Sequence, residues 1–193
     1  MRKKGTKIPH YPLPEGFRFE FYQPGDERCW AEIKTSVLEF SHLQEALKCF
    51  EKDYLDHIDE LRRRCLFLVT DQGEKVGTAM AWWSTRDELR VPSIHWVSIK
   101  PEYQNLGLGK ALVCQAVNLS IELDGDRDSF IHTQTWSYPA IGIYIKSGYK
   151  ILREGHFACF PNDYSKALPY LRDKMGTRFH IDNDTTVIEL SKK

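Results

Sequence analysis

The sequence has no surplus of charge: 27 Lys and Arg balance 27 Asp and Glu over 193 residues. Such a chain carries no global field toward nucleic acid or anionic lipid, so neither is expected as a partner. The basic runs Arg2-Lys3-Lys4 and Arg62-Arg63-Arg64 are local exceptions. The second closes a predicted helix and reads as a solvated end matched to the helix dipole. Cysteine is scarce and unpatterned. The five residues Cys29, Cys49, Cys65, Cys114 and Cys159 form no C-x-x-C pair and no Cys/His cluster of metal-ligand spacing. That excludes a disulfide scaffold and a zinc module, and points to reduced, mostly buried thiols in the cytoplasm. No apolar run is long enough to cross a bilayer. Pro9, Pro12 and Pro14 break the place where a secretory leader needs unbroken apolar residues. With no internal repeat, low-complexity tract or linker, residues 1–193 read as one domain.

What is present is ordinary globular material, 41% hydrophobic and 28% charged. Residues 1–16 read as a loose N-terminal arm, and Phe17–Phe21 alternates as a strand. Asp26 is placed to cap a helix whose Trp30, Ile33, Val37 and Phe40 share a stripe. Ser41 and Gln44 suggest a capping box before a second helix. Cys65–Thr70 and Lys75–Ser84 flank turn residues and predict an antiparallel hairpin. A polar turn at Thr85–Arg90 leads to a third strand, Ser93–Lys100. A long helix over Gly109–Leu123, with core positions Leu112, Val113, Ala116, Val117 and Ile121, separates that strand from another at Phe130–Thr135. Pro139 suits a helix start and Gly148 its end. A strand follows from Tyr149, then a helix capped by Asp163 and a closing strand at Thr185–Leu190. The 160–193 segment thus holds a C-terminal helix and a closing strand. The order predicts a mixed α/β (α+β) fold, neither doubly wound nor barrel.

The chemistry concentrates in Ile94–Leu112. It reads as strand, polar loop with two glycines, then helix start. Unpaired N–H groups at a helix N-terminus bind phosphate, glycine admits close approach, and Lys110 adds charge at the rim. A dinucleotide fingerprint fails because Leu112 stands at its third glycine. A Walker A loop fails because Ala111 follows Lys110 and Gln104 takes the glycine place. Gln104-Asn105-Leu106-Gly107-Leu108-Gly109 instead matches Q/R-x-x-G-x-G/A, and it sits directly after the Val97-Ser98-Ile99 strand. The segment resembles the pyrophosphate-binding signature of the GNAT superfamily of N-acetyltransferases. Thr133–Tyr149 is similar to that family's later motif, with Ser137 where many members carry Asn.

The resemblance implies a central, mostly antiparallel twisted sheet of about seven strands, splayed between strands 4 and 5 and flanked by helices. It implies acetyl-CoA as acyl donor, bound by main-chain groups of Val97, Ser98 and Ile99, by Gln104 to Lys110, and by Ser137. In arylalkylamine members a histidine relays the amine proton from the place of His95, acting directly or through water. Tyr144 matches the tyrosine that protonates the departing thiolate. His95 is expected on the same strand face as Ser93 and Val97. His132 and His156 lack motif support. Asp124, Asp126 and Asp128 imitate a calcium loop, but Ser129 and Thr135 stand at its diagnostic places, so the turn reads as a solvated connection and no metal is expected. Trp136, Tyr138, Glu39 and Trp82 are candidates for the acceptor wall. A small-molecule amine is the expected acceptor, by direct transfer in a ternary complex. A peptide or protein amine, a non-catalytic acyl-CoA sensor and a homodimer stay open.

Overall fold

The computed structural model describes residues 1–86, 88–155, 157–158, 161–176 and 187–189. The elements run β1 (Phe17–Phe21), α1 (Glu27–Ser36), α2 (Leu43–Tyr54), α3 (Ile58–Arg64), β2 (Cys65–Thr70), β3 (Lys75–Arg86) and β4 (Leu89–Ile99). There follow α4 (Leu108–Asp124), α5 (Tyr138–Lys146), β5 (Ile151–Glu154), α6 (Tyr164–Met175) and β6 (Val187–Glu189). Strands β1 to β4 pair antiparallel in chain order. Leu66, Leu68, Val76 and Ala79 pack on α4, through Leu112, Val113, Ala116 and Val117. Phe67, Met80 and Trp82 pack on Trp30 and Ile33 of α1 and Phe50 of α2. Helices therefore cover both faces, which explains why β2 reads as an unbroken apolar run and is buried throughout.

Among the described residues the main sheet has four strands, not seven. Phe130–Thr135, expected as a fifth strand, contributes a single parallel bridge from Phe130 to Ser93. Its neighbour Ser129 exchanges backbone hydrogen bonds with Arg2 instead, and Lys150 N–H donates to the Met1 carbonyl. The first residues thus wedge between 129 and 150, and β5 pairs in parallel with β6 rather than joining the main sheet. Residues 1–16 carry no helix or strand, yet Met1 and Arg2 are buried, so the arm is not loose where it begins. Of the segment expected to close the chain, 187–189 is a strand. Cys159, Phe160 and 177–186 lie outside the described residues, as does His156.

Polar residues also depart from expectation. Arg64 is not at a solvated end: it is buried, gives two 2.8 Å bonds to Asp124 and one to the Ala81 carbonyl, and pairs with Glu60. The acidic turn is likewise engaged, because Asp126 takes Arg2 and the Gly5 N–H, and Asp128 takes Lys3 and the Lys4 N–H. Asp26 does not cap α1 by its side chain; it accepts from Gln23 N–H and pairs with Lys75. The Ser41–Gln44 box does not form either, since α2 begins after His42 and the Ser41 N–H reaches Glu45. The predicted turn at Thr85–Arg90 is mostly strand, paired through Ser84–Val91, Thr85–Arg90 and Arg86–Leu89. There the Arg90 guanidinium stacks 3.3 Å from the Trp83 ring centre and holds polar residues in the ladder.

Candidate functional site

Strand β4 is where the sheet opens. Ile94 N–H donates to the Phe130 carbonyl, and Phe130 N–H to that of Pro92. Beyond this point β4 continues to Ile99 while 131–134 carry no ladder pairing, so the two segments part. Inside the opening β4 is bulged. Thr78 pairs with Ser98 but Met80 with His95, leaving Trp96 and Val97 opposite one residue, and Trp96 sits at φ +54°. A bulge re-aims side chains and frees backbone groups from the ladder. It overturns the expectation that His95 and Val97 share a face. Val97 packs into the α4-side core, whereas Trp96 is turned into the α1/α2 side, against Trp30 and Phe40. Holding a non-glycine residue at positive φ costs about 1–2 kcal/mol, offset here by this aromatic packing and by a 2.6 Å hydrogen bond from Trp96 Nε1 to the Tyr54 hydroxyl.

His95 lies on the α2 side with both ring nitrogens engaged. Nδ1 is 2.9 Å from the Tyr54 hydroxyl and Nε2 is 3.2 Å from Ser84 Oγ. Because the Tyr54 oxygen already accepts from Trp96, the simplest assignment has it donating to Nδ1, with Nε2–H donating to Ser84. Burial, and secondarily the charge of His132, lower the His95 pKa to about 4. The imidazole is therefore neutral at physiological pH. His132, without motif support in sequence, is brought beside it by the bridge at Phe130.

Sequence reasoning missed Lys34. It is buried on α1, its Nζ 2.6 Å from Ser98 Oγ and 4.8 Å from the Trp96 ring centre. The signal was there, because Lys34 stands four residues after Trp30, where the apolar stripe calls for a hydrophobe. Desolvation lowers its pKa to about 8, against the opposing charge of Glu39. Tyr144 is buried on α5 and its pKa is pushed up by burial, then by Tyr149 and Glu39. One carboxylate, Glu39, thus acts on both Lys34 and Tyr144. Tyr144 also walls a cavity of about 560 Å³ between the 130–136 segment, α5, β5 and α6, shared with Trp136, Tyr149, Tyr164 and Tyr170.

The glycine loop lies at the far end of β4. Gln104 Nε2 donates to the Ile99 carbonyl and ties the loop to the strand. Asn105 (φ +65°) and Gly107 (φ +84°) turn the chain into α4, whose N-cap is Gly107. Leu106 is exposed, Leu108 is a core side chain, and Lys110 Nζ lies 5.5 Å from the Tyr11 ring centre. A Cβ at Gly107 meets no protein atom within 4 Å, whereas one at Gly109 meets Ile143 at 3.0 Å. The space before the first-turn N–H groups is therefore open, as a phosphate-bearing ligand requires. Ser137 sits at the N-cap of α5, its N–H donating to the Gln134 carbonyl.

An antiparallel sheet flanked by helices, opened beside a bulged strand that leads into a glycine-capped helix, defines a mixed α/β protein. The model of the acetyltransferase (GNAT) family matches residues 19–149, and the chain belongs to that family. It is 27% identical over 146 residues to a mycothiol acetyltransferase of Streptomyces bingchenggensis, covering 74% of this chain and 46% of that protein. A second mycothiol acetyltransferase, from Streptomyces griseus, is 32% identical over 103 residues, 52% of this chain and 32% of its own. The chain spans about half or less of the length of these curated relatives. In fold it is similar to a GNAT-family acetyltransferase of Staphylococcus aureus (TM-score 0.57, 18% identity, 76% and 92% of the two chains covered). Glucosamine-6-phosphate N-acetyltransferase of Arabidopsis thaliana is also similar (TM-score 0.51, 13% identity, 78% and 99% covered). Among the described residues no helix is long and apolar enough to cross a membrane, and no group of three or more His, Cys, Asp or Glu could hold a metal ion.

Proposed function

We propose that the chain transfers an acetyl group from acetyl-CoA to the primary amine of a small molecule, both substrates being bound together. The observation that carries this reading is the opening beside the β4 bulge, with the α4 N-terminus at its foot. The donor supplies an activated acetyl thioester. First-turn N–H groups of α4, with Gly107, Leu108, Gly109 and Lys110, hold its pyrophosphate, and Gln104, Asn105 and Leu106 shape that loop. Main-chain groups of Val97, Ser98 and Ile99 receive the pantetheine arm, with Ser137 across the opening. Backbone N–H groups freed by the bulge are suited to polarising the thioester carbonyl.

The amine attacks the acetyl carbonyl, the carbon–sulfur bond breaks, Tyr144 gives its proton to the departing thiolate, and the proton the nitrogen sheds on becoming an amide restores Tyr144 through water. A tyrosine held protonated by burial suits that step. His95 fixes Tyr54 and Trp96, and with them the bulge; its low basicity limits it as a proton acceptor. The relatives named mycothiol acetyltransferases favour a small-molecule acceptor over a protein one.

Calorimetric titration with acetyl-CoA, alongside Gly107→Ala, tests the donor site. Binding by the wild type that is lost in the folded variant is expected. No binding to the folded wild type refutes the reading. Thiol release with a panel of amines then separates an enzyme from a protein that only binds the donor.

A further inference from the structure

Resting on the acetyltransferase reading, we infer that Ser98 and Lys34 form the route by which the acceptor amine loses its proton. An ammonium cannot attack a thioester until it is deprotonated, and His95 is a poor base for that task. Ser98 stands on β4 immediately after the bulge, at the parting of the strands, with its side chain on the α1 face. Its hydroxyl is 2.6 Å from Lys34 Nζ and orients this lysine. Among the described residues no ion pair joins Lys34 to a carboxylate, although it is 1% exposed. A buried lysine beside a serine hydroxyl, without a carboxylate to hold its charge, is the arrangement in which an amine serves as base.

The acceptor ammonium gives a proton to Ser98 Oγ as the Ser98 hydroxyl proton passes to neutral Lys34 Nζ. The freed amine attacks the acetyl carbonyl, the carbon–sulfur bond breaks and the thiolate takes the Tyr144 proton; the second proton, lost by the nitrogen as it becomes an amide, passes through water to restore Tyr144. Lys34 ends as an ammonium donating to Ser98 Oγ, and returns its proton to water at the Glu39 rim. Ser98 touches the acceptor; Lys34 acts through it. The charged or titratable groups facing Lys34 are Glu39 beyond α1 and Cys49 of α2. Cys49 is held as a thiol, its pKa raised to about 11 by burial and by Asp53. A base titrating near 8 is matched to neutral conditions, as one titrating near 4 is not.

The test uses the full chain with acetyl-CoA, and 2-phenylethylamine, glucosamine and a peptide with a free amino terminus as acceptors. Lys34→Met, which keeps volume, Lys34→Arg, which keeps charge, and Ser98→Ala are compared with wild type from pH 6 to 10. We expect wild-type kcat/KM to rise with a limb near pH 8. Each variant should lose that limb and about 10²-fold in kcat, with acetyl-CoA affinity unchanged in the two Lys34 variants. NMR of the Lys34 ammonium in the wild type should show titration near 8, whatever the acceptor. A Lys34 titration at 10 or above, or a Lys34→Met enzyme with the wild-type limb, overturns the relay alone. Failure of the wild type to bind acetyl-CoA overturns the acetyltransferase reading and the relay with it.

Discussion

His95 permits a prediction worked from its surroundings. Its pKa is about 4 in the folded protein against 6.5 for the free side chain. Between those values the unfolded chain binds a proton that the folded one does not, so stability rises with pH across that window. Above pH 6.5 the penalty is absent; it grows as pH falls and is complete below 4. The difference of 2.5 units corresponds to roughly 3 kcal/mol at 1.36 kcal/mol per unit. His95→Gln keeps polar atoms near Tyr54 and Ser84 but cannot be charged. At pH 7 it should cost about 1 kcal/mol for imperfect hydrogen bonds; at pH 4 it should exceed the wild type by about 2 kcal/mol. Urea denaturation of both proteins from pH 4 to 7.5 reads the difference as a shift in midpoint at constant slope. Carboxylate protonation is common to both and cancels. Parallel stability curves across pH 4–6.5 would refute the account and restore His95 as a base of ordinary strength.

Two further outcomes are expected. Asp124→Ala leaves the Arg64 guanidinium buried with half its acceptors removed, and should cost about 3–5 kcal/mol in chemical denaturation, while Lys166→Ala, at a solvent-screened pair on α6, should leave the denaturation midpoint unchanged. Tyr144→Phe should lower kcat about 10²-fold without changing acetyl-CoA affinity in calorimetry; an unchanged kcat would remove Tyr144 from the proposed chemistry.

The sequence by itself determined the element types, the antiparallel hairpins and the glycine loop entering a helix. Those signals are local: alternation in Phe17–Phe21, the apolar run Cys65–Thr70, and Gly107 at the residue before α4. It also carried one unread mark, a lysine at position 34 of an apolar stripe. Tertiary structure decided the rest. No glycine marks the bulge at Trp96, because its positive φ is held by packing on Trp30 and Phe40 and by the Tyr54 hydroxyl, residues 42 or more positions away. The strand expected at Phe130–Thr135 was reduced to a bridge because residues 129 and 150 pair with the start of the chain. Arg64 and Asp124, each unremarkable alone, became a buried pair across 60 positions. Local pattern reports the dihedral and burial preferences of neighbours in sequence. Which face a strand residue shows, and which charges are desolvated together, is settled only when distant segments compete for the same backbone groups and the same dry space.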